Sequence, residues 1–517
     1  MNKKIHKHQP AIASAAGAAI AVAAISALQP FSPSALCSDA PAARPNTARP
    51  NIILILVDDM GYGDIAPFGS KLNRTPNLDR MAAEGLKLTS FYCAPVCTPS
   101  RAQFMTGCYA KRVSLGLGVL FPASPKGLSP KEHTVAELLK TQGYATMAIG
   151  KWHLGDQPAF LPTAHGFDSY FGLPYSNDMD RKASAGPQNK TPPLPLIRDD
   201  KPVEVITPEK QDHLVERYTA AALQFIRDHA KGPQPFFLYF AHTAVHFPIH
   251  PGPKFKGKSA NGRYGDWVEE VDWSTGQVLD SLKQLGIADN TLVIFTSDNG
   301  PWAIKGSDAG IATPLRGAKG GTFEGGMREP TIAWWPGKVP AGASTDAITG
   351  NIDILPTFVA LAGGAVPADN KIDGVDITPL LLGKATESAR KVQYYFSVDN
   401  LNLEAVRVGP WKLAIARQLE KMGKEAPPQP KEKGPFVPHL YNLDTDIGER
   451  HDVAAQHPDI VAQLQAYVTG MDKDLGNKKS DGPGVRPPGQ VEHPVGLWLP
   501  GQHPTKQAIA EHYDTED

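Results

Sequence analysis

Asn51-Ile52-Ile53-Leu54-Ile55-Leu56-Val57-Asp58-Asp59 is the stretch from which the fold can be read. After Asn51, the six residues Ile52–Val57 form an unbroken apolar run, too short for a buried helix and rich in branched side chains. Such a run suits a strand at the centre of a sheet covered on both faces. It stops abruptly at two carboxylates. The same grammar recurs downstream: residues 144–149 are apolar and end in Gly150-Lys151-Trp152-His153-Leu154-Gly155. Residues 235–240 run into His242 and His246, and Thr291–Ser297 ends in Asp298-Asn299-Gly300. Helical periodicity fills 77–85, 134–143, 212–230 and 264–285. Strands joined by helix-length connections imply an α/β fold, a mostly parallel sheet sandwiched by helices. The carboxyl ends of such strands lie along one edge, which is where ligands bind. Asp58, Asp59, Lys151, His153, His242, His246, Asp298 and Asn299 are thereby expected on a common edge.

After residue 391 the character changes. Residues 392–398, 405–416 and 440–443 read as short strands of an antiparallel sheet, and 452–475 as an amphipathic helix. The expected organisation is therefore a leader (1–43), an α/β domain (48–391), a smaller C-terminal α+β subdomain (392–476) and a Pro/Gly-rich tail (477–517). The tail is expected to drape loosely over the body. The polar, Pro-rich segment 179–210, together with 250–263 and the C-terminal loops, reads as substrate-facing.

A chain of 517 residues can bury a large core. With 52 basic and 53 acidic residues its net charge is −1, so no basic field argues for nucleic acid. Lys3, Lys4 and Lys7 precede an apolar, Ala-rich run over 11–28, followed by small residues and prolines to Ala43. This is a signal-peptide pattern, predicting a periplasmic or secreted protein with no stable membrane insertion after cleavage. The run is long for a signal core, so a retained anchor is the alternative. Leu36 before Cys37 fits a lipidation site poorly.

Cys97-Thr98-Pro99-Ser100-Arg101 carries the sharpest chemical signal. Thr98 can cap a helix, Pro99 suits its first turn, and Gly107 marks its stop. Cys97 then stands at a helix N-terminus, where free N–H groups and the helix dipole favour an anion. Arg101 lies one turn further on and reaches back over the same end. Cys93 and Cys108 flank this stretch and could pair in an oxidising compartment. Asp58, Asp59, Asp298 and Asn299 offer oxygen donors only, a set that selects Ca²⁺ or Mg²⁺ over Zn²⁺.

The order C-T-P-S-R, followed by T-G, resembles the signature of the type I sulfatases, in which C-x-P-x-R directs oxidation of the cysteine to formylglycine. Five further motifs match that family in order: G-K-W-H-L-G (Lys151, His153), His246 in H-F-P, and Ser176 in P-Y-S-N-D. The last two are Lys319 in the Gly-rich run Gly317–Gly326, and R-E-P with W-P-G-K over 328–338. Singly, each of these histidines and lysines would read as a core or surface residue; together, over roughly 50–416, they do not. The chain is most similar to the arylsulfatase A and N-acetylgalactosamine-6-sulfatase group.

The resemblance implies an alkaline-phosphatase-like fold and hydrolysis of a sulfate monoester on a carbohydrate or an arene. It implies one divalent cation, usually calcium, held by Asp58, Asp59, Asp298, Asn299 and the modified Cys97 (3-oxoalanine). Lys151, Lys319, Arg101 and the cation would surround the sulfate, and Ser176 would touch it. Formylglycine would hydrate to a geminal diol, one hydroxyl attacking sulfur. His246 or Lys319 would protonate the departing alcohol, and His153 would deprotonate the second hydroxyl to expel sulfate. A maturation enzyme must then convert Cys97 before or during export. The alternatives are a phosphate or phosphonate ester hydrolase of the same superfold and a non-catalytic binder of sulfated glycans. The two-metal phosphatases need further Asp and His ligands than this sequence places there.

Overall fold

The strand β1 (Asn51–Val57) is buried at every position, and its side chains divide by parity between two cores. Ile53, Ile55 and Val57 pack with Leu238, Phe240, Val293 and Phe295 on one face. Ile52, Leu54 and Leu56 pack with Phe237, Tyr239, Leu292 and Ile294 on the other. Each fully buried aliphatic side chain contributes about 1.5–3 kcal/mol, so the strand anchors both layers. The computed structural model describes residues 49–180, 192–418, 435–477 and 480–500. The leader (1–43), segments 181–191 and 419–434, and 501–517 lie outside the described residues.

Along the chain follow β2 (Leu86–Tyr92), β3 (Lys126–Gly127), β4 (Ala145–Gly150), β5 (Ser169–Gly172), β6 (Pro195–Arg198) and β7 (Lys201–Val205). Then come β8 (Phe236–Ala241), β9 (Thr291–Ser297), β10 (Arg328–Trp334), β11 (Ala343–Thr345) and β12 (Thr349–Gly350). All but β3 form one sheet in the order β11-β2-β10-β9-β1-β8-β4-β5-β6-β7, with β12 also on β2. Its centre, β9-β1-β8-β4-β5, is parallel. β10 runs antiparallel between β9 and β2, and β6 and β7 close the opposite end antiparallel. These last two arise from the segment read as a substrate-facing loop.

Three helices come early: α1 (Pro76–Ala83), α2 (Cys97–Thr106) and α3 (Val135–Thr141). Helices Leu214–Ala230 and Gly262–Gln284 cover one face of the sheet; α2, α3 and Ile354–Leu361 cover the other. The parallel sheet between helical layers is the alkaline-phosphatase-like arrangement. No helix among the described residues is long and apolar enough to cross a membrane.

A second sheet is a meander of β13 (Val392–Phe396), β14 (Leu403–Val408), β15 (Trp411–Ala414) and β16 (His439–Asn442). Leu464 and Val468 of helix Pro458–Leu475 cover one face of it. The run 405–416 is a hairpin rather than one strand, because Gly409 turns it at a positive φ of 55° and Pro410 follows. The described part of the tail, 480–500, lies against the body. Gly489–Gln490 (β17) pairs with β3, and Arg486 grips the buried Glu132 at 2.6 and 2.7 Å. A two-residue backbone ladder and an ion pair from the half-buried Arg486 to the buried Glu132 tie segment 480–500 to the body. Cys93 and Cys108 carry free thiols, hydrogen-bonded to the carbonyls of Ser297 and Thr106.

At the carboxyl edge the ladder runs one residue past the strands. Asp298 N donates to Val57 O (3.0 Å), His242 N to Leu56 O (2.8 Å) and Lys151 N to Ala241 O (2.8 Å). Gly150 makes this possible: φ is +93°, and a Cβ there would run into the Ala241 carbonyl.

Candidate active site

α2 begins at Cys97 itself, with Val96 as an extended N-cap, and every residue of it is buried. Thr98 does not cap it. Its hydroxyl donates to His153 O (2.9 Å) and accepts from Leu120 N (3.1 Å), joining the helix start to two neighbouring loops. Gly107 ends the helix in the left-handed region at φ 68°. Cys97 Sγ lies 3.5 Å from Asp58 Oδ1, and burial pushes its thiol far above the ordinary value.

Arg101 is fully buried and fully engaged. Nε and Nη2 grip Asp298 Oδ2 (3.0 and 2.8 Å), while Nη1 donates to Lys151 O (2.5 Å). It thus locks α2 to the ends of β9 and β4. Lys151 Nζ pairs with Asp58 Oδ2 at 2.5 Å and donates to Ser176 Oγ at 2.9 Å. Lys319 Nζ pairs with Asp59 at 2.7 Å. Ser176 Oγ is 3.3 Å from His246 Nε2, and that nitrogen is 3.6 Å from Asp59 Oδ2. The structure thus brings Cys97, Arg101, Lys151, Ser176, His246 and Lys319 around one acidic centre. His153 joins them through Thr98 and by following Lys151 two residues on.

The two histidines have defined tautomers. His153 Nε2 donates to Leu120 O (2.9 Å), so its lone pair is on Nδ1, which is buried and has no partner among the described residues. Burial first, then Lys151 and Arg101, hold this imidazole well below its ordinary value, so it is neutral. His153 also occupies the left-handed region at φ 64°, a strain that concentrates at functional positions. His246 Nδ1 faces Phe247 O (2.6 Å) and Asn177 Oδ1 (3.1 Å), leaving its lone pair on Nε2. His242, by contrast, is a core histidine. Its ring packs on Phe240 and, among the described residues, its side chain hydrogen-bonds only to Ser274.

The carboxylates divide sharply. Burial opposes ionisation of Asp58, but Lys151, His246, Arg101 and Lys319 outweigh it and hold the group well below the carboxylate range. Asp59 is pushed up to about 7 by burial and by its neighbours Asp58 and Asp298, against Lys319. Asn299 Nδ2 donates to Asp59 Oδ1 (2.7 Å), while Asn299 Oδ1 is buried without a partner among the described residues. Donor atoms of Asp58, Asp59, Cys97 and His246 lie within 4.8 Å of one another. Crowded carboxylates beside an orphaned amide oxygen fit a hard cation, which would relieve the repulsion and satisfy that oxygen.

Two participants were not singled out from sequence. Asn177 orients His246 and is itself held by Gln211 Oε1 (3.0 Å). Trp302 packs its ring 5.2 Å from the His246 ring and under Lys319 Nζ at 4.6 Å. Asn177 lies inside the P-Y-S-N-D motif, and Trp302 follows Asp298-Asn299 by three residues; adjacency to a motif was the available signal.

Fold and site together define a hydrolase of the alkaline-phosphatase-like class, with an acidic, cation-ready centre ringed by lysines and histidines. A family model described as sulfatase matches residues 50–365, and one for the C-terminal region of aryl-sulfatase matches 388–482. The chain belongs to the sulfatase family. It is 39% identical to arylsulfatase A of Bos taurus over 82% of this chain and 88% of the relative. It is 41% identical to N-acetylgalactosamine-6-sulfatase of Canis lupus familiaris over 82% and 86%. Among solved structures, the PsFucS1 sulfatase from Pseudoalteromonas sp. superposes with a TM-score of 0.73 at 31% identity, covering 82% of this chain and 90% of that one.

Proposed function

We propose that this sulfatase is exported and hydrolyses a sulfate monoester of a carbohydrate, using formylglycine at position 97 and one calcium ion. The observation that carries the reading is the convergence of Lys151, Lys319 and His246 on the acidic centre beside Cys97, at the mouth of a helix N-terminus. Asp58, Asp59, Asp298, Asn299 and residue 97 would hold the cation. When bound, the cation polarises the sulfate oxygens, and formylglycine supplies an oxygen nucleophile that a thiol cannot.

The chain's own residues do the rest. Lys151 and Lys319 carry standing positive charge and compensate the charge that builds on the sulfate oxygens in a buried, low-dielectric site. Arg101 fixes the direction of α2 and thus of residue 97. His153, neutral with a free Nδ1 lone pair, serves as the base. Lys319 and His246 flank the path of the departing alcohol and handle its proton, while Ser176, held by Lys151, completes the anion pocket. The relative from Canis lupus familiaris is an N-acetylgalactosamine-6-sulfatase, a name that specifies a sulfated sugar and supports a carbohydrate over a simple arene. The Lys-rich, Ala-rich leader over 1–43 supports export.

The test joins mass spectrometry of the Cys97 peptide, from protein made in its own host, with turnover of 4-nitrophenyl sulfate. A peptide lighter by the thiol-to-aldehyde exchange, with turnover abolished in Cys97→Ala, is the expected result. Unmodified cysteine throughout would sink the catalytic reading and leave a sulfated-glycan binder. A preference for 4-nitrophenyl phosphate or phosphonate esters would overturn the choice of sulfur.

A further inference from the structure

The loop leaving β9 continues past Asn299 through Pro301, whose carbonyl accepts from Lys319 N (3.1 Å), into Trp302 and the turn Ala303–Asp308. This turn carries a cation that the catalytic roles do not use. Lys305 Nζ sits 4.1 Å from the Trp302 ring centroid and 4.2 Å from that of Phe247, the residue after His246. All three side chains are half-buried. Lys305 makes no ion pair among the described residues; the nearby Asp308 faces Arg263 instead, at 3.8 Å.

The indole of Trp302 therefore has two ammoniums against it, Lys319 at 4.6 Å and Lys305 at 4.1 Å. One belongs to the acidic centre, and the other pairs with no carboxylate among the described residues. Their separation cannot exceed the sum of those two distances, a span that one hexopyranose bearing two anionic substituents covers. Trp302 and Phe247 also border His246, past which the alcohol must leave. A cation held on aromatic faces keeps its charge available to a ligand, because no carboxylate neutralises it.

We infer that Lys305, set by Trp302 and Phe247, is a specificity-determining residue for a second anionic group on the sugar that carries the scissile sulfate. The substrate class is thus a sulfated sugar with a further sulfate or carboxylate on the same ring. This rests on the sulfatase reading above.

The test uses inhibition of 4-nitrophenyl sulfate turnover by D-glucosamine 2-N,6-O-disulfate, N-acetyl-D-glucosamine 6-sulfate and inorganic sulfate, in the wild type, Lys305→Met and Lys305→Arg. In the wild type the disulfated sugar should inhibit about tenfold or more tightly than the monosulfated one, the scale of a charge-assisted hydrogen bond. Lys305→Met should erase that ratio, Lys305→Arg should keep most of it, and the ratio of monosulfated sugar to inorganic sulfate should not follow. A wild type that does not discriminate, or a ratio that survives in Lys305→Met, overturns the inference. A wild type with converted residue 97 that does not turn over 4-nitrophenyl sulfate overturns the sulfatase reading itself, and the subsite with it.

Discussion

Lys412→Met is the perturbation with the most to teach about how the small sheet supports the site. Lys412 lies on β15 and is fully buried. Its Nζ donates to Thr322 O (2.9 Å) and pairs with Glu324 (3.1 Å) and Glu449 (2.7 Å). Thr322 and Glu324 belong to the same Gly-rich run as Lys319, so the ammonium ties the second sheet to the loop that reaches the acidic centre. Glu324 keeps other partners, the Tyr92 and Tyr395 hydroxyls at 2.5 and 2.7 Å and Arg328 at 3.4 Å. Glu449 is the strained partner: burial pushes it up to about 7 even with Lys412 beside it.

Methionine fills the space but leaves carboxylates in the core without their cation, a loss of about 3–5 kcal/mol. The pH dependence has a definite sign. A carboxyl raised above its unfolded value of 4.5 contributes stability that is present below that value and is lost as pH rises through the folded one. Without Lys412 the folded value of Glu449 climbs further. Wild type and variant then lose stability in parallel up to about pH 7, after which only the variant continues, by about 1.4 kcal/mol per pH unit. Urea unfolding followed by tryptophan fluorescence should therefore show a deficit larger by about 2 kcal/mol at pH 8.5 than at pH 6. The double variant Lys412→Met/Glu449→Gln should remove that extra deficit. A deficit that is independent of pH, or larger at pH 6, would refute the assignment of Glu449 as the strained partner.

Two further outcomes follow from the site. Asn299→Ala removes the orphaned oxygen, so a calcium titration followed by thermal shift should show affinity weakened about tenfold or more, given that even outer-shell changes cost 10–100-fold; an unchanged midpoint would exclude Asn299 as a ligand. Because burial and two cations keep His153 deprotonated, kcat/KM should not fall through the ordinary histidine range on acidification to about pH 5.5. An acid limb near 6.5 that vanishes in His153→Ala would contradict the neutral base.

Much of this protein is legible in its primary structure because the relevant physics is local. Six apolar residues running into Asp58-Asp59 suit a doubly covered strand, and parallel topology then carries Lys151, His242 and Asp298 to one edge. The C-T-P-S-R order places Cys97 at a helix start for reasons of backbone geometry alone. Tertiary structure decided what depends on partners distant in sequence. Thr98 looked like a cap, yet Leu120 and His153 claimed its hydroxyl. Both His242 and His246 follow one strand, and only His246 stands in H-F-P; the ring of His242 entered the core against Phe240 while His246 met Ser176 and Asn177. The tail looked loose by composition, and β3 with Glu132 bound its described stretch at Arg486 and Gly489–Gln490. Lys305 and the Lys412 ion network carry no local signature, and Trp302 none beyond its nearness to Asp298-Asn299, since their meaning comes from groups tens of residues away. Short-range rules set where each strand ends; only the packed fold sets what each strand end faces.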